Sequence, residues 1–413
     1  MKRKNGNTIL FCILLLILVS ATLVGCTSTE NSVVSLDREL TTEEKVEDFE
    51  YMYNTLEENY PFFKVNERVY KINWLTNKDE YEKRIRHTNN DEEFANELNM
   101  ILCELHNNHT HLISKDDFDF YYKSYAYKAD RYNKPWGKVL DNKKVKTRYN
   151  FTEKSLEELN NGNYLQNSRP AFKSDIIIPN DVAYIKVKQM DGFRLEEDGV
   201  EIRKFFESIK DYPKLIVDIR GNGGGSDYYW VKNIVQPLIN EPLSVDYYLF
   251  ARGGEDSQKF YKARKMNLKE IDTLDENLKL EFPKDISSDF KYYKLSTSQI
   301  KPKNPVGFKG KIYLLVNSLV YSSSETFASF AKGSGFATLV GGKTGGDGMG
   351  IDPLLFSLPN SGLVVRYSSL LCLNPDYTIN EEVQTTPDIE LPPFSPVDYK
   401  YDECIQYVIE DEI

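Results

Sequence analysis

KIYLLVNSLVYSSSETFASFAKGSGFATLVGGKTGGDGMG, residues 311–350, is the stretch from which the architecture is best read. Ile312–Val316 is a short apolar run of the kind a buried strand shows. Asn317–Ser323 is a polar turn, and Glu325–Lys332 carries Phe327, Phe330 and Ala331 at helical spacing. A second apolar run, Phe336–Val340, ends in glycines. Strand, tight turn and helix make a favourable seat for a serine nucleophile. The turn exposes a hydroxyl, and the helix N-terminus offers N–H groups and a positive dipole end to an oxyanion. Ser322–Ser324 stand at that junction. The same serines also fit a plain helix cap, in which the side-chain oxygen accepts an orphan amide; Ser324 suits that role.

Upstream, Asp181–Met190 alternates apolar and polar residues as a half-buried strand does. Residues 195–209 read as an amphipathic helix. Pro213–Ile219 is a buried strand that runs into Arg220-Gly221-Asn222-Gly223-Gly224-Gly225-Ser226, with a helix from about Tyr228. Strand, helix, strand, glycine turn and helix imply a crossover and a parallel sheet. The glycine turn could cradle a phosphate, although it is only close to G-x-G-x-x-G. Its other use is an oxyanion hole, where glycine lets backbone amides approach a developing negative charge.

Residues 241–252 supply another strand, and 254–305 is a charged, aromatic insertion or lid. Leu354–Leu358, Gly362–Ser368 and the turn at Asn374–Asp376 indicate a hairpin-rich region. Glu381 and Glu382 precede Thr386-Pro387-Asp388-Ile389, and 396–413 reads as an acidic terminal helix.

Toward the N-terminus, residues 41–60 form an amphipathic helix with Val46, Phe49, Met52 and Leu56 in a stripe, capped by Thr41 or Thr42. Residues 91–105 form a second, with Phe94, Leu98, Ile101, Leu102 and Leu105 on one face. His106-Asn107-Asn108-His109-Thr110-His111 follows directly. The chain has 4 histidines, and three lie in this segment. A base that works near neutral pH is most often histidine, so the cluster is a candidate. A metal site is the rival reading, but no H-E-x-x-H accompanies it. A solvated polar turn is the other. Residues 113–175 are irregular, with no repeat.

The chain has 413 residues, 40% of them hydrophobic, and a net charge of −11. An acidic chain without a basic block is a poor nucleic-acid binder. Lys2–Lys4 and the apolar run Ile9–Val24 have the profile of a secretory signal. Leu23-Val24-Gly25-Cys26 resembles a bacterial lipobox, which implies that Cys26 becomes the lipidated first residue of a membrane-anchored, extracytoplasmic protein. The other cysteines, Cys103, Cys372 and Cys404 beside Cys12, are too few for a disulfide framework and allow at most one pair. Cys103 reads as an inert core thiol.

Several landmarks then coincide. Leu215–Gly225 resembles the D-[LI]-R-x-N-x-G-G segment of the S41 peptidases, the tail-specific or C-terminal-processing family. Ser322-Ser323-Ser324-Glu325 resembles its nucleophile segment, Gly341–Gly346 its glycine turn, and Leu358–Gly362 and Thr386–Ile389 its closing strands. The matches run in order across about residues 180–392. The resemblance implies an α/β fold with a ClpP/crotonase-like core. It makes Ser322 the nucleophile, with oxyanion donors at Gly224 and Ser323.

The family divides by its base. Where one branch has a lysine this chain has Asp347, and that branch's assisting aspartate falls near Gly333. Asn107-Asn108-His109-Thr110 instead resembles the D-x-H-T segment of the tricorn-like branch, with Asn107 replacing the acid. That makes His109 the base and Glu381 the acid that orients it, with His111 and Glu382 as alternates.

The expectation is a lipid-anchored, extracytoplasmic serine endopeptidase that acts on peptide or unfolded-protein segments through a Ser322–His109–Glu381 triad, without metal or other cofactor. The division is a signal at 1–25, a tether at 26–40, a helical unit at 41–112, an irregular link at 113–175, a core at 176–395 and a helix at 396–413. No PDZ module is recognised. The alternatives are a catalytically inactive peptide- or ligand-binding relative and a histidine-bound metal hydrolase.

Overall fold

The computed structural model describes residues 38–127, 130–160 and 169–412. The expected signal, the lipidation site Cys26 and nearly all of the tether lie outside the described residues.

A six-stranded sheet forms the centre. Its order is Ile389–Glu390, Thr338–Gly341, Lys311–Val316, Lys214–Asp218, Val182–Val187 and Phe172–Ile178. All neighbours run parallel except the last pair, which is antiparallel. The parallel strands read as apolar runs because both faces are covered. Leu215, Val217, Leu314 and Val316 point to the face packed by the helices Leu195–Ser208 and Ser323–Ser334. Ile216, Tyr313 and Leu315 point to the other, against Ile405 and Val408 of the terminal helix Glu403–Glu410. Each such aliphatic side chain, fully buried, stabilises by roughly 1.5–3 kcal/mol.

The aspartate and arginine at the end of Lys214–Asp218 hold that terminal helix. Arg220 Nη2 donates to Asp218 Oδ2 at 2.8 Å and to Asp402 Oδ2 at 2.7 Å, and all three side chains are buried. Asp402 in turn caps the helix by accepting from the Ile405 amide.

The N-terminal helices take the expected places. Thr41 and Glu44 form a capping box at the start of Thr42–Asn59, and Val46, Phe49, Met52 and Leu56 are buried. Asn90 caps Asp91–Cys103. These helices share one hydrophobic cluster with Leu354, Phe356, Val364 and Val365. Cys103 is half-buried, with Asn99 Nδ2 4.0 Å from its sulfur, which corrects the reading of it as an inert core thiol.

Two further sheets complete the fold. A three-stranded antiparallel sheet joins His111–Leu112, Val364–Tyr367 and Leu354–Ser357, with His111 opposite Arg366. A four-stranded antiparallel sheet contains Leu243–Ala251 and Tyr292–Ile300. The 254–305 segment is therefore built of short helices and a nine-residue strand rather than being a free lid. The link 113–175, expected to be irregular, holds the short helices Lys115–Tyr121, Lys134–Leu140, Lys143–Arg148 and Glu153–Asn160. No helix of the described residues is long and apolar enough to cross a membrane.

Candidate active site

The strand Lys311–Val316 delivers the chain to a tight turn. Asn317 Oδ1 accepts from the amides of Leu319 and Gly221, which ties this turn to the glycine loop. Ser322 follows with φ 57° and ψ −129°, a conformation that a residue with a side chain rarely adopts. It sits at the cap position of Ser323–Ser334, yet its side chain makes no capping hydrogen bond. Ser324 lies inside the first turn, with its hydroxyl unpartnered, and is not the cap. Ser322 is half-buried and lines a cavity of about 1010 Å³ together with His109, Asp347 and Ser323.

The glycine loop packs directly on this turn. Gly224 has φ 108°, and a Cβ there would lie 2.7 Å from Ser322 Cβ and 2.8 Å from the Tyr321 carbonyl. Only glycine admits that approach. The Gly224 amide donates to Asn222 Oδ1 at 3.0 Å. This corrects its expected role, because an amide engaged by a side chain within its own loop is not free to receive an oxyanion. Asn222 Nδ2 anchors the loop to the Val187 carbonyl. Gly223 and Gly225 line the cavity instead. Ser323 opens its helix, where a first-turn amide has no intrahelical acceptor.

His109 arrives from the far end of the chain. The pairing of His111–Leu112 with Val364–Tyr367 carries the histidine segment onto the core. Asn107 Oδ1 accepts from the His109 amide at 3.1 Å and the Thr110 hydroxyl at 2.8 Å, which fixes the turn. His109 Nδ1 faces Asp347 Oδ2 at 2.9 Å. The same carboxylate oxygen accepts from Ser368 Oγ at 2.6 Å, Asn107 Nδ2 at 2.7 Å and Tyr321 OH at 3.3 Å. The His109 and Tyr321 rings lie 4.9 Å apart.

The electrostatics follow from burial. Burial, then the Arg366 charge, lowers the His109 pKa below its ordinary value, while Asp347 opposes them. Burial alone would raise Asp347, but the charge and hydrogen bond of His109 outweigh it and keep this carboxyl below its usual range. The Ser368, Asn107 and Tyr321 donors to the same oxygen favour the ionised carboxylate whichever state His109 is in. Burial and the nearby Asp347 charge push Glu381 well above the usual carboxylate range.

Glu381 does not touch the imidazole. Its Oε1 accepts from Asn107 Nδ2 at 2.9 Å, so the Asn107 amide stands between Glu381 and the site occupied by Asp347. This corrects the expectation that Glu381 orients His109. Glu382 faces away and forms an ion pair with Arg68 at 2.6 Å. His111 Nδ1 is paired with the Asn108 carbonyl at 3.1 Å, and burial brings its pKa down to about 4. His106 stacks on Tyr70. The three histidines therefore go to different partners, and among the described residues no cluster of His, Cys, Asp and Glu is placed to hold a metal ion. Lys343 is exposed, and Lys332 bonds the Thr386 carbonyl.

In the sequence, position 347 stands out only as the place where one branch has a lysine, so the contact of Asp347 with His109 is not anticipated there. Two signals pointed to it: an acid in an otherwise glycine-rich turn, and Asn107 in place of the acid of D-x-H-T, which leaves the orienting carboxylate to come from elsewhere.

The model of the peptidase family S41 matches residues 181–391, half of the chain. The chain belongs to peptidase family S41. Among solved structures it is similar to a putative peptidase from Parabacteroides merdae ATCC 43184, at 21% identity over 84% of this chain and 90% of that one, with a TM-score of 0.53. It is also similar to mature CPAF, at 12% identity over 89% and 96% of the two chains and a TM-score of 0.54. The complex of mature CPAF with lactacystin gives 14% identity over 89% and 97%, and a TM-score of 0.55. At these identities the likeness shows the fold. No curated protein matches the sequence.

Proposed function

We propose that the chain is a serine endopeptidase in which Ser322 is the nucleophile, His109 the base and Asp347 the acid that orients the base. The observation that carries this is the 2.9 Å contact of His109 Nδ1 with Asp347, on the wall of the cavity that also holds the uncapped hydroxyl of Ser322. Asp347 fixes the tautomer with the proton on Nδ1, which leaves Nε2 as the basic nitrogen. Nε2 takes the Ser322 proton as Oγ bonds the scissile carbonyl carbon. It then returns that proton to the departing amine as the C–N bond breaks, and water releases the acyl group by the same steps in reverse order.

The oxyanion is assigned to Ser323 N–H and a glycine-loop amide. Met190 N donates to Gly224 O, and Ser226 N donates to Met190 O. The alternation of an extended backbone then turns the Gly225 N–H away from Met190. A pair of such donors supplies a few kcal/mol of the barrier reduction. A peptide laid along the cavity in an extended conformation would add main-chain hydrogen bonds.

Replacing Ser322 with Ala is expected to abolish both cleavage of a peptide panel and labelling by a fluorophosphonate probe. Undiminished turnover would sink the assignment, and a wild-type chain that resists the probe would favour a non-hydrolytic binding relative. Lipid anchoring at Cys26 and an extracytoplasmic location belong to the same proposal and rest on the lipobox-like sequence. Cys26→Ser is expected to move the protein from the membrane fraction to the soluble one.

A further inference from the structure

The cavity contains a cation that the described chain leaves without a counter-charge. Arg366 lies in the central strand of the three-stranded sheet, and its Nη1 reaches the His109 carbonyl at 3.5 Å. Its guanidinium lies over the Tyr121 ring, 5.5 Å from the centroid. It is half-buried and lines the cavity with Ser322 and His109. Among the described residues, every other buried or half-buried arginine forms an ion pair with a carboxylate. Arg366 forms none.

The acids around the cavity are already engaged. Asp347 holds His109, and Asp352 is paired with Arg264. Asp191 caps the Phe193 amide, and Asp227 accepts from Trp230 Nε1. A guanidinium drawn partly out of water without a partner is costly, and it binds a carboxylate through two parallel N–H donors when one arrives.

Its position tells which part of a substrate would bring that carboxylate. Arg366 contacts the backbone of His109, whose Nε2 in the reading above hands the proton to the departing amine, and we take the part of the cavity that Arg366 lines as the leaving side. We propose that Arg366 is a specificity-determining residue that binds a substrate carboxylate on the leaving-group side of the scissile bond. This rests on the serine-peptidase reading above. The carboxylate belongs either to an acidic side chain or to the C-terminus of the substrate, and the same guanidinium geometry serves both.

The test uses four internally quenched peptides that carry Glu or Gln on the leaving side, each with a free or an amidated C-terminus. They are offered to the full chain as wild type, Arg366→Gln and Arg366→Lys. The wild type is expected to favour a carboxylate by about 10–100-fold in kcat/KM, the worth of a charge-assisted pair. Arg366→Gln should bring that ratio to about one, and Arg366→Lys should leave an intermediate value, since lysine keeps the charge without the fork. Dependence on the Glu/Gln exchange assigns an acidic side chain, and dependence on amidation assigns the terminus. Protection of Ser322 from the fluorophosphonate probe by the same peptides reads the preference where turnover is too slow to follow. Cleavage or protection without preference in the wild type, or a preference that survives in Arg366→Gln, overturns the role of Arg366 and leaves the peptidase standing. A wild type that neither labels nor cleaves overturns both.

Discussion

Asp347 and Glu381 both accept from the Asn107 amide, but only Asp347 reaches the imidazole, and that difference is measurable. Asp347 is held ionised against His109, so Asp347→Asn should lose the tautomer that keeps Nε2 basic. A fall in kcat of about 10³–10⁴-fold with little change in KM is expected. Burial and the Asp347 charge raise Glu381 well above the usual carboxylate range, and its contact is with Asn107 rather than His109, so Glu381→Gln keeps a hydrogen-bonding group of the same shape away from the base. Its kcat should change by less than about tenfold, the scale of one neutral hydrogen bond. Kinetics showing the larger effect at Glu381 would reverse the assignment. The sign of the pH dependence is also fixed. The base must be neutral, and burial and Arg366 lower its pKa from 6.5. Activity should therefore survive as pH falls through 6.5 and be lost only below it; an acid limb at or above 6.5 in kcat/KM would contradict the burial of His109.

At the scale of elements, the turn into Ser323–Ser334 is where sequence and strain meet. The Ser322 backbone conformation costs about 1–3 kcal/mol for a residue with a side chain. Ser322→Gly and Ser322→Ala should both be inactive, but the glycine variant should be the more stable in chemical denaturation. The gap should be about 1–2 kcal/mol after the greater unfolded-state entropy of glycine is counted. Equal stability would mean that the turn is relaxed. The strands Val182–Val187, Lys214–Asp218 and Lys311–Val316 and the helices beside them were legible in the sequence, because continuous apolar runs and helical spacing are local signals. Tyr292–Ile300 was not. Its polar face is solvated, and its partner Leu243–Ala251 lies across a helical excursion that periodicity does not bridge. The site divides the same way. Ser322 and His109 stand in recognisable local segments, whereas the link from His109 to Asp347 joins residues 238 positions apart and leaves no local pattern.

For the molecule as a whole, the buried Asp218–Arg220–Asp402 cluster ties the final helix to the central sheet. Arg220→Met would leave Asp402 buried without its cation and Asp218 with only Lys186 at 3.7 Å, and should cost about 3–5 kcal/mol. The N-terminal helices share their apolar cluster with Leu354–Ser357 and Val364–Tyr367. Helices and core should therefore unfold in one transition, with far-UV and near-UV signals coincident. Two separated transitions would show that the helices fold as an independent unit.

The strand that seats the histidine segment, Val364–Tyr367, is made after both Ser322 and Asp347. On the proposed assignment, a ribosome would release Ser322 and Asp347 before the chain could bring His109 to them. A nascent chain that carries the proposed site is therefore expected to cleave nothing until that sheet has closed.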